Sequence, residues 1–179
     1  MKIIAGHYKS RKLNTLKGDN TRPTSNRLKE ALFNQLGPFF EKGSFLDIFA
    51  GSGAMSFEAL SRGMDKACLI EKDREALKVI EKNVSSLDVK SKTQIIKGDA
   101  LIKVSELKDK YDIIFMDPPY DYQYTFEILN KLHTLLAENG IIIVETDKNT
   151  KLEDTPENLI KIREKSYGFS KIHTYKMSK

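Results

Sequence analysis

One tetrapeptide near the middle of the chain combines a carboxylate, a free carbonyl and an aromatic ring: Asp117-Pro118-Pro119-Tyr120. It follows the apolar run 111–116, which is typical of a strand buried on both faces. The prolines cannot donate to a β-ladder and restrict the residue before each of them, so this backbone is stiff and extended. Asp117 and the Pro118 carbonyl offer two acceptors for a planar amine, and Tyr120 offers a flat surface for its ring. The tetrapeptide therefore predicts binding of an aromatic amine; the alternative is a turn capped by Asp117.

A second candidate site follows the first expected strand, where residues 47–53 read DIFAGSG and lead into a helix. Glycines at such a turn let the backbone approach a ligand closely, and the helix N-terminus presents free N–H groups. A dinucleotide site would need a third glycine where Ser56 stands. Asp47 would repel a pyrophosphate and favour a cationic amino acid group. Both departures favour S-adenosylmethionine (SAM), which carries an ammonium and a sulfonium, over NAD.

Acidic residues are also expected at the ends of the next two strands. Glu71 is suited to accept hydrogen bonds from ribose hydroxyls, and Asp99 from an adenine amino group, with Ala100 packed on the base. Alone, Glu71 is equally consistent with a solvated strand end and Asp99 with a helix cap. Ligands of open α/β sheets bind at the carboxyl ends of the strands. One acid at each of four successive strand ends (47, 71, 99 and 117) favours a SAM site.

The apolar pattern from Ser44 onward alternates strands with helices, which predicts a parallel sheet covered on both faces. Asp73 and Asp99 are expected N-caps, and Asn139-Gly140 is expected to stop the fourth of these helices. The last two segments predict an antiparallel hairpin at one edge of the sheet. The expected strands are 44–49, 66–71, 93–97, 111–116, 141–145, 159–164 and 169–177, and the expected helices are 54–62, 74–87, 100–107 and 124–137.

The first 40 residues are predicted to form a small extension of the domain. Segments 3–5 and 11–13 are expected to pair as a hairpin, and a helix is expected to begin near Thr24 or Ser25 and to end at Gly37-Pro38. This extension is too small to fold alone. We therefore expect one domain, 1–179, in which residues 1–40 pack on a catalytic core formed by residues 44–179.

The extension is strongly basic. Its first 29 residues contain eight Lys and Arg side chains and one acid, whereas residues 30–179 hold 22 basic and 24 acidic side chains. Such a cluster attracts polyphosphate but carries no sequence information by itself. It favours a nucleic-acid partner; a solvated basic arm is the alternative.

The overall composition is that of an ordinary globular protein, with 179 residues, 40% of them apolar and 31% charged. No apolar run is long enough to span a bilayer, and the N-terminus lacks the hydrophobic segment of a signal peptide. Cys68 is the only cysteine and the three histidines are far apart, so we expect neither a disulfide nor a metal site. These features predict a cytoplasmic protein, with a monomer as the expected state.

These motifs resemble the RsmD family, bacterial methyltransferases that act on guanine N2 in 16S ribosomal RNA. The resemblance runs over essentially the whole chain. Two positions differ: Ser10 stands where the family usually has glycine, and Asn26 where it usually has an acid. The segments that carry the resemblance are RPTSNRLKEALFN (22–34), DIFAGSG (47–53), EALSRG (58–63) and DPPY (117–120).

The resemblance implies an α/β fold: a Rossmann-like class I methyltransferase sheet of seven strands with a C-terminal antiparallel hairpin and a small basic N-terminal extension. It implies SAM as the donor, and ribosomal RNA or an assembling small ribosomal subunit as the partner. It also suggests that Thr24 borders the cofactor. The expected SAM-binding residues are then Thr24, Asp47, Phe49, Gly51, Gly53, Glu71, Asp99, Ala100 and Asp117.

For the chemistry, Asp117 and the Pro118 carbonyl are expected to orient the guanine amine towards the methyl group. Tyr120 is expected to stack on the base, which must be unpaired or turned out of its helix. The expected phosphate contacts are the cations of the extension: Lys9, Arg11, Lys12, Arg22 and Arg27.

Three other functions remain open. A protein or small-molecule N-methyltransferase is the weakest of them, because it gives no reason for the basic N-terminus. Adenine-N6 DNA methyltransferases use the same tetrapeptide, but they generally carry an added region that reads duplex sequence, for which 179 residues leave no room. A catalytically silent RNA-binding or ribosome-assembly factor would need none of the acids expected for SAM.

Overall fold

The centre of the fold is a seven-stranded sheet in the order β3-β2-β1-β4-β5-β7-β6. The structure, a computed structural model, describes residues 1–16, 26–150, 152 and 154–178. Strands β1 to β5 pair in parallel, and β7 runs antiparallel to both β5 and β6. The strands are β1 Ser44–Ile48, β2 Lys66–Glu71, β3 Thr93–Lys97, β4 Tyr111–Met116, β5 Leu136–Asp147, β6 Leu159–Tyr167 and β7 Ser170–Met177.

Helices cover both faces of this sheet. As expected, Asp73 caps one helix by accepting a hydrogen bond from the Ala76 N–H at 2.8 Å. Asp99 caps another by accepting from the Leu101 N–H at 3.0 Å. The described helices are α1 Asn26–Leu36, α2 Ala54–Ser61, α3 Arg74–Leu87, α4 Ala100–Glu106 and α5 Thr125–Leu132, with short 3₁₀ turns at Lys90–Lys92 and His133–Leu135.

The two faces of the sheet bury different sets of apolar side chains, because successive residues of a strand point to opposite faces. One face packs against α1, α2 and α3 and includes Phe45, Leu69 and Phe115. The other packs against α4 and α5 and includes Leu46 and Ile114. We call the first of these the α1–α3 face. The N-terminal extension contributes to it through three side chains from α1 and two from the hairpin: Leu28, Leu32, Phe33, Ile3 and Leu13.

The expected helix 124–137 is wrong at its C-terminal end. The helix ends at Leu132, where a 3₁₀ turn follows and β5 already begins at Leu136. The Thr134 hydroxyl bonds the Lys131 carbonyl at 2.8 Å, which competes with continuation of the helix. Gly140 is no helix stop: it lies within β5, where a Cβ would come 2.7 Å from the Leu136 side chain. β5 bulges against β4 at this point, so its apolar residues do not alternate strictly. Their spacing therefore resembled that of a helix.

The N-terminal hairpin is present in a minimal form. Lys2 and Lys12 form an antiparallel bridge, and the Ile3 N–H donates to the Arg11 carbonyl at 3.0 Å. Ser10 has a φ of 68°, a left-handed conformation that explains the preference for glycine at this position. Gly6 lies against α2 so closely that a Cβ would come 1.7 Å from the Ser61 carbonyl oxygen.

Glu58 of α2 holds the extension on the sheet. Its carboxylate lies 3.1 Å from the Lys29 Nζ and 2.8 Å from the Arg62 Nε, and all three side chains are almost fully buried. It also accepts from the backbone N–H groups of Ile4, at 2.9 Å, and Ala5, at 3.1 Å. Lys29 in turn donates to the Lys2 carbonyl at 2.8 Å. One carboxylate therefore joins α1, α2 and the hairpin.

We predict that Glu58→Ala lowers the free energy of unfolding by about 3–5 kcal/mol, because it leaves two cations buried without a carboxylate. Burial already lowers the pKa of Lys29, and only Glu58 beside it acts in the opposite direction. Urea unfolding measures the change. The control is Glu75→Ala, which removes an exposed ion pair with Lys78 and should change stability within the error of measurement. Equal stability of the two variants would contradict the role of Glu58.

Candidate active site

The candidate site lies at the carboxyl edge of the sheet. The strand order reverses direction at β1, which lies between β2 and β4, and ligands of open α/β sheets bind at such a switch point. Asp47, Glu71, Asp117 and Glu145 each follow, by two residues, a side chain buried on the α1–α3 face. The alternation of strand side chains therefore points all four carboxylates to that face.

The glycine turn after β1 has the strained backbone expected of a ligand-binding loop. Phe49, Gly51 and Gly53 all have positive φ, at 65°, 57° and 77°. A Cβ on Gly53 would come 2.6 Å from the Phe57 ring, so that position requires glycine for packing. A Cβ on Gly51 would meet nothing within 4 Å. The turn is thus packed at Gly53 and open at Gly51.

Glu71 fixes this turn. Its Oε2 accepts from the Gly51 N–H at 2.8 Å, and its Oε1 accepts from the N–H groups of Lys72, at 2.8 Å, and Asp73, at 2.9 Å. Glu71 is therefore not a solvated strand end, because its carboxylate already accepts three backbone hydrogen bonds. The remaining acceptor capacity of the carboxylate is about one lone pair on Oε2.

Asp47 is buried inside the sheet rather than exposed in the turn. It is 2% exposed, and its Oδ2 accepts from the Ser56 hydroxyl at 2.7 Å. Burial raises the pKa of Asp47 to about 7; the Ser56 hydrogen bonds oppose the shift, and nearby Glu71 adds to it. Ser56, the residue that replaces a third glycine, is thus the partner of Asp47.

Asp117 and Glu145 form a second acidic pair. Burial, Glu145 and then Asp47 raise the pKa of Asp117 well above its usual value. Glu145 accepts from the Ser170 hydroxyl at 2.7 Å. Within the described residues, no group donates a hydrogen bond to the Asp117 carboxylate. Sequence reasoning missed Glu145, although it ends the fifth strand as the other acids end theirs.

The tetrapeptide turns back after β4. The Pro119 carbonyl accepts from the Tyr122 N–H at 3.0 Å, whereas no N–H in the described part of the chain bonds the Pro118 carbonyl. Tyr120 is 63% exposed, which leaves most of its ring accessible. The two acceptors and the ring expected from sequence are therefore presented at one strand end.

Asp99 has the predicted position but is already engaged. Besides capping α4, its Oδ2 lies 3.3 Å from the Lys72 Nζ. Burial and then Asp99 raise the pKa of Tyr122, whose ring meets Phe49 edge-on with centroids 4.9 Å apart. Sequence reasoning missed Tyr122, which borders the site from the α5 side. Ala100 is buried beneath Asp99.

Asn83 of α3 links the glycine turn to the N-terminal extension. Its Oδ1 accepts from the Asn14 backbone N–H at 2.8 Å, and its Nδ2 donates to the carbonyls of Asn14, at 3.1 Å, and Ser52, at 3.0 Å. The side chain is fully buried. One buried side chain therefore joins the extension at Asn14 to the turn at Ser52.

The predicted phosphate contacts are partly described. Lys9, Arg11, Lys12 and Arg27 are exposed, and Arg11 also donates to the Ser86 carbonyl of α3. Arg22 and Thr24 lie outside the described residues.

Two further observations concern metal ions and membranes. No group of three or more His, Cys, Asp or Glu side chains in the described ranges is placed to hold a metal ion. None of the described helices is long and apolar enough to cross a membrane.

The family model described as "Conserved hypothetical protein 95" matches residues 1–176 of the chain. The chain is 36% identical over 180 residues to "Ribosomal RNA small subunit methyltransferase D" of Haemophilus influenzae, an alignment that covers 98% of this chain and 93% of that relative. The solved Escherichia coli protein yhhF is 33% identical, with a TM-score of 0.84 over 99% of this chain and 97% of that one. A precorrin-6y C5,15-methyltransferase of Geobacter metallireducens, 18% identical, shares the fold alone, with a TM-score of 0.70 over 93% and 94% of the two chains. The seven-stranded α/β fold expected from the sequence is confirmed.

We predict that Asp47→Asn changes stability in a pH-dependent way. Since the folded pKa of Asp47 is about 7 and the unfolded value is about 4, the unfolded chain loses this proton first as pH rises. The contribution of the neutral Asp47 carboxyl to the free energy of unfolding is therefore fully present below about pH 4 and is lost as the pH rises through about 7. The free energy of unfolding of the variant, relative to that of the wild type, should therefore rise by about 2–3 kcal/mol when the pH is raised from about 5 to about 8. Urea unfolding at both pH values measures it; the exposed Asp121→Asn is the control, and a pH-independent difference would contradict the prediction.

Proposed function

The chain belongs to the RsmD family, described in its family model as "Conserved hypothetical protein 95", and on this premise we propose that it methylates 16S ribosomal RNA with SAM as donor. Within that activity we assign the acceptor to the exocyclic N2 amine of a guanine. The observation that carries the proposal is the set of carboxylates on one face of the carboxyl edge, beside an open glycine turn and the tetrapeptide 117–120. We also propose one domain that acts as a monomer in the cytoplasm without a metal ion.

The donor set suits a cationic cofactor. Asp47, Glu71, Asp117 and Glu145 repel one another, which is part of the reason why the pKa values of Asp47 and Asp117 are raised. A ligand with positive charge relieves this repulsion, whereas a pyrophosphate would add to it. Bound SAM supplies an electrophilic methyl group on a sulfonium. In our proposal Asp47, Gly51 and Glu71 hold its methionine and ribose parts, and Asp99 with Ala100 borders its base.

Asp117 and the Pro118 carbonyl then orient the acceptor. A guanine amine is a weak nucleophile because its lone pair is delocalised into the ring, so the residues contribute mainly by holding it in line. Two hydrogen bonds from the amine satisfy two acceptors that no donor in the described residues occupies. The raised pKa of Asp117 also fits a group that takes the proton from nitrogen after transfer. Tyr120 offers the exposed ring on which the base stacks.

The docked extension supports RNA as the acceptor. Glu58 and Asn83 hold the basic hairpin beside α3, so Lys9, Arg11 and Lys12 are displayed on the same body as the site. Cations fixed in this way bind phosphates and position the nucleic acid, while the pocket chooses the base.

We predict that Asp117→Ala lowers the rate of methyl transfer at least about 100-fold while SAM affinity falls far less than in Gly51→Val, because the residue acts mainly on the acceptor. Calorimetry measures SAM binding, and single-turnover transfer of a labelled methyl group measures the rate. Gly51→Val is the comparison, since its left-handed φ and its place in the turn should cost SAM affinity itself. A loss of SAM affinity in Asp117→Ala equal to that of Gly51→Val would sink the assigned role.

We predict N2-methylguanosine as the product when labelled SAM is offered with unmodified small ribosomal subunits, naked 16S RNA and duplex DNA. Digestion to nucleosides and chromatography identify the modified base. N6-methyladenosine in DNA would support the DNA methyltransferase instead. SAM binding without transfer to any acceptor, or no SAM binding, would favour the silent RNA-binding factor.

A further inference from the structure

The C-terminal part of the chain carries a second positive excess. Residues 148–179 hold eight Lys and Arg side chains and four acids, although the average over residues 30–179 is slightly acidic. The antiparallel course of β7 brings part of this segment back to the carboxyl edge, where Ser170 pairs with Asp147. The turn between β6 and β7 therefore lies at the same edge as Asp117.

The register of the hairpin places a row of side chains on the α1–α3 face. Arg163, Lys165 and Tyr167 lie opposite Thr174, Ile172 and Ser170 in β7. Directly opposed residues share a face. Ile172 is buried in the cluster of the α1–α3 face, and the Ser170 hydroxyl bonds Glu145. The row therefore lies on the face that carries the four carboxylates.

Aromatic rings and cations alternate at the tip of this hairpin. Phe169 is 62% exposed, the Lys148 Nζ lies 5.3 Å from the centre of its ring, and the Lys148 N–H donates to its carbonyl at 2.8 Å. The Lys165 Nζ lies 5.0 Å from the centre of the Tyr167 ring. We call Lys148, Arg163, Lys165, Tyr167 and Phe169 the hairpin row.

The charges of the hairpin row differ from those on the opposite face of the same hairpin. There, Lys161 and Lys171 lie 3.1 Å and 3.5 Å from Glu164, which neutralises them in part. Within the described residues, Lys148, Arg163 and Lys165 form no salt bridge. Arg163 and Lys165 therefore place positive charge on the α1–α3 face without a salt bridge among the described residues, and Lys148 adds a third cation at the tip of the hairpin.

We propose that the hairpin row is a second RNA-binding surface, which holds unpaired nucleotides next to the target base. The lysines and Arg163 contact phosphates, and Phe169 with Tyr167 offers rings on which neighbouring bases stack. β7 is two strands from β4 and β6 is three, or about 10 and about 14 Å, so the hairpin row is within reach of nucleotides adjacent to one held at Asp117. This inference rests on the proposed function, because it adds contacts for the same RNA substrate.

The test compares Phe169→Ala and the double variant Lys148→Ala/Lys165→Ala with the wild type. Fluorescence anisotropy measures binding of a labelled single-stranded RNA of about 12 nucleotides, and calorimetry measures SAM binding. We expect RNA affinity to fall about tenfold in each variant with SAM affinity unchanged. The double variant should also reduce the slope of log affinity against log salt by about 1.4, or about 0.7 for each cation removed.

The matched control is Phe39→Ala/Lys66→Ala. Phe39 is 63% exposed in the connection that enters β1, and Lys66 is exposed at the first residue of β2, so both lie at the amino edge. This control should bind RNA as the wild type does. Equal RNA affinity of control and row variants would overturn the inference. So would a wild-type dimer, seen by light scattering, that Phe169→Ala dissociates without loss of RNA affinity, since the row would then bind protein.

Failure of the proposed function is a separate outcome. A wild type that methylates RNA, together with row variants that bind RNA normally, rejects only the hairpin row. A wild type that transfers no methyl group to any RNA rejects the proposed function, while the anisotropy measurement still decides whether the row binds RNA.

Discussion

The buried carboxylate of Glu58 is the interaction on which the arrangement of the site depends. It compensates Lys29 and Arg62 and accepts two backbone N–H groups of the hairpin, so α1, α2 and the first residues of the chain meet at one group. A buried charge network of this kind is stable only when every partner is present. It gives the extension one position on the sheet rather than several. Asn83 then carries that position to the glycine turn through Asn14 and Ser52. The basic segment and the glycine turn are therefore joined through buried hydrogen bonds.

The buried carboxyl groups of the candidate site lower the stability of the folded protein. Asp47, Asp117 and Glu145 are carboxyl groups held in a sheet edge with little water, and the pKa values of the first two are raised mainly by burial. The raised pKa values of Asp47 and Asp117 mean that both favour the proton more than an exposed carboxyl does, and a nearby cation would favour their charged form. Glu71 has a different role, because three backbone N–H groups already satisfy much of it and fix the turn beside it. Acids that look alike in sequence thus differ in the structure: Glu71 fixes the turn, whereas Asp47 and Asp117 are buried carboxyl groups with raised pKa values.

Most of the sheet could be predicted because its strands are continuous apolar runs and its helices have caps and helical spacing. The N-capping aspartates, Asp73 and Asp99, were visible for the same reason. The β5 bulge could not be predicted, since Leu136 and Gly140 show helical spacing and a typical stop signal, and only the pairing with β4 makes this segment a strand. The local sequence pattern identified the acids but not the side chains that contact them. The bond from Ser56 to Asp47 and the position of Lys72 beside Asp99 both depend on long-range packing. The segment 58–63 carried part of the family resemblance without a predicted role, and the structure shows that Glu58, Ser61 and Arg62 dock the extension.

Topology also decides where charge acts. Averaged over residues 30–179, the chain is slightly acidic, and the basic character of residues 148–179 disappears in that average. The antiparallel last strand returns these residues to the carboxyl edge, and the bulge between Lys161 and Arg163 in β6 places Arg163 and Lys165 on the opposite face from Lys161. Cations two residues apart in β6 therefore have different surroundings: Lys161 is paired with Glu164, whereas Arg163 and Lys165 lie on the α1–α3 face. The N-terminal extension and the C-terminal hairpin are far apart in sequence, but both pack on the α1–α3 face. A phosphate chain that follows that face would meet basic side chains from both ends of the protein, with the carboxylates of the site between them.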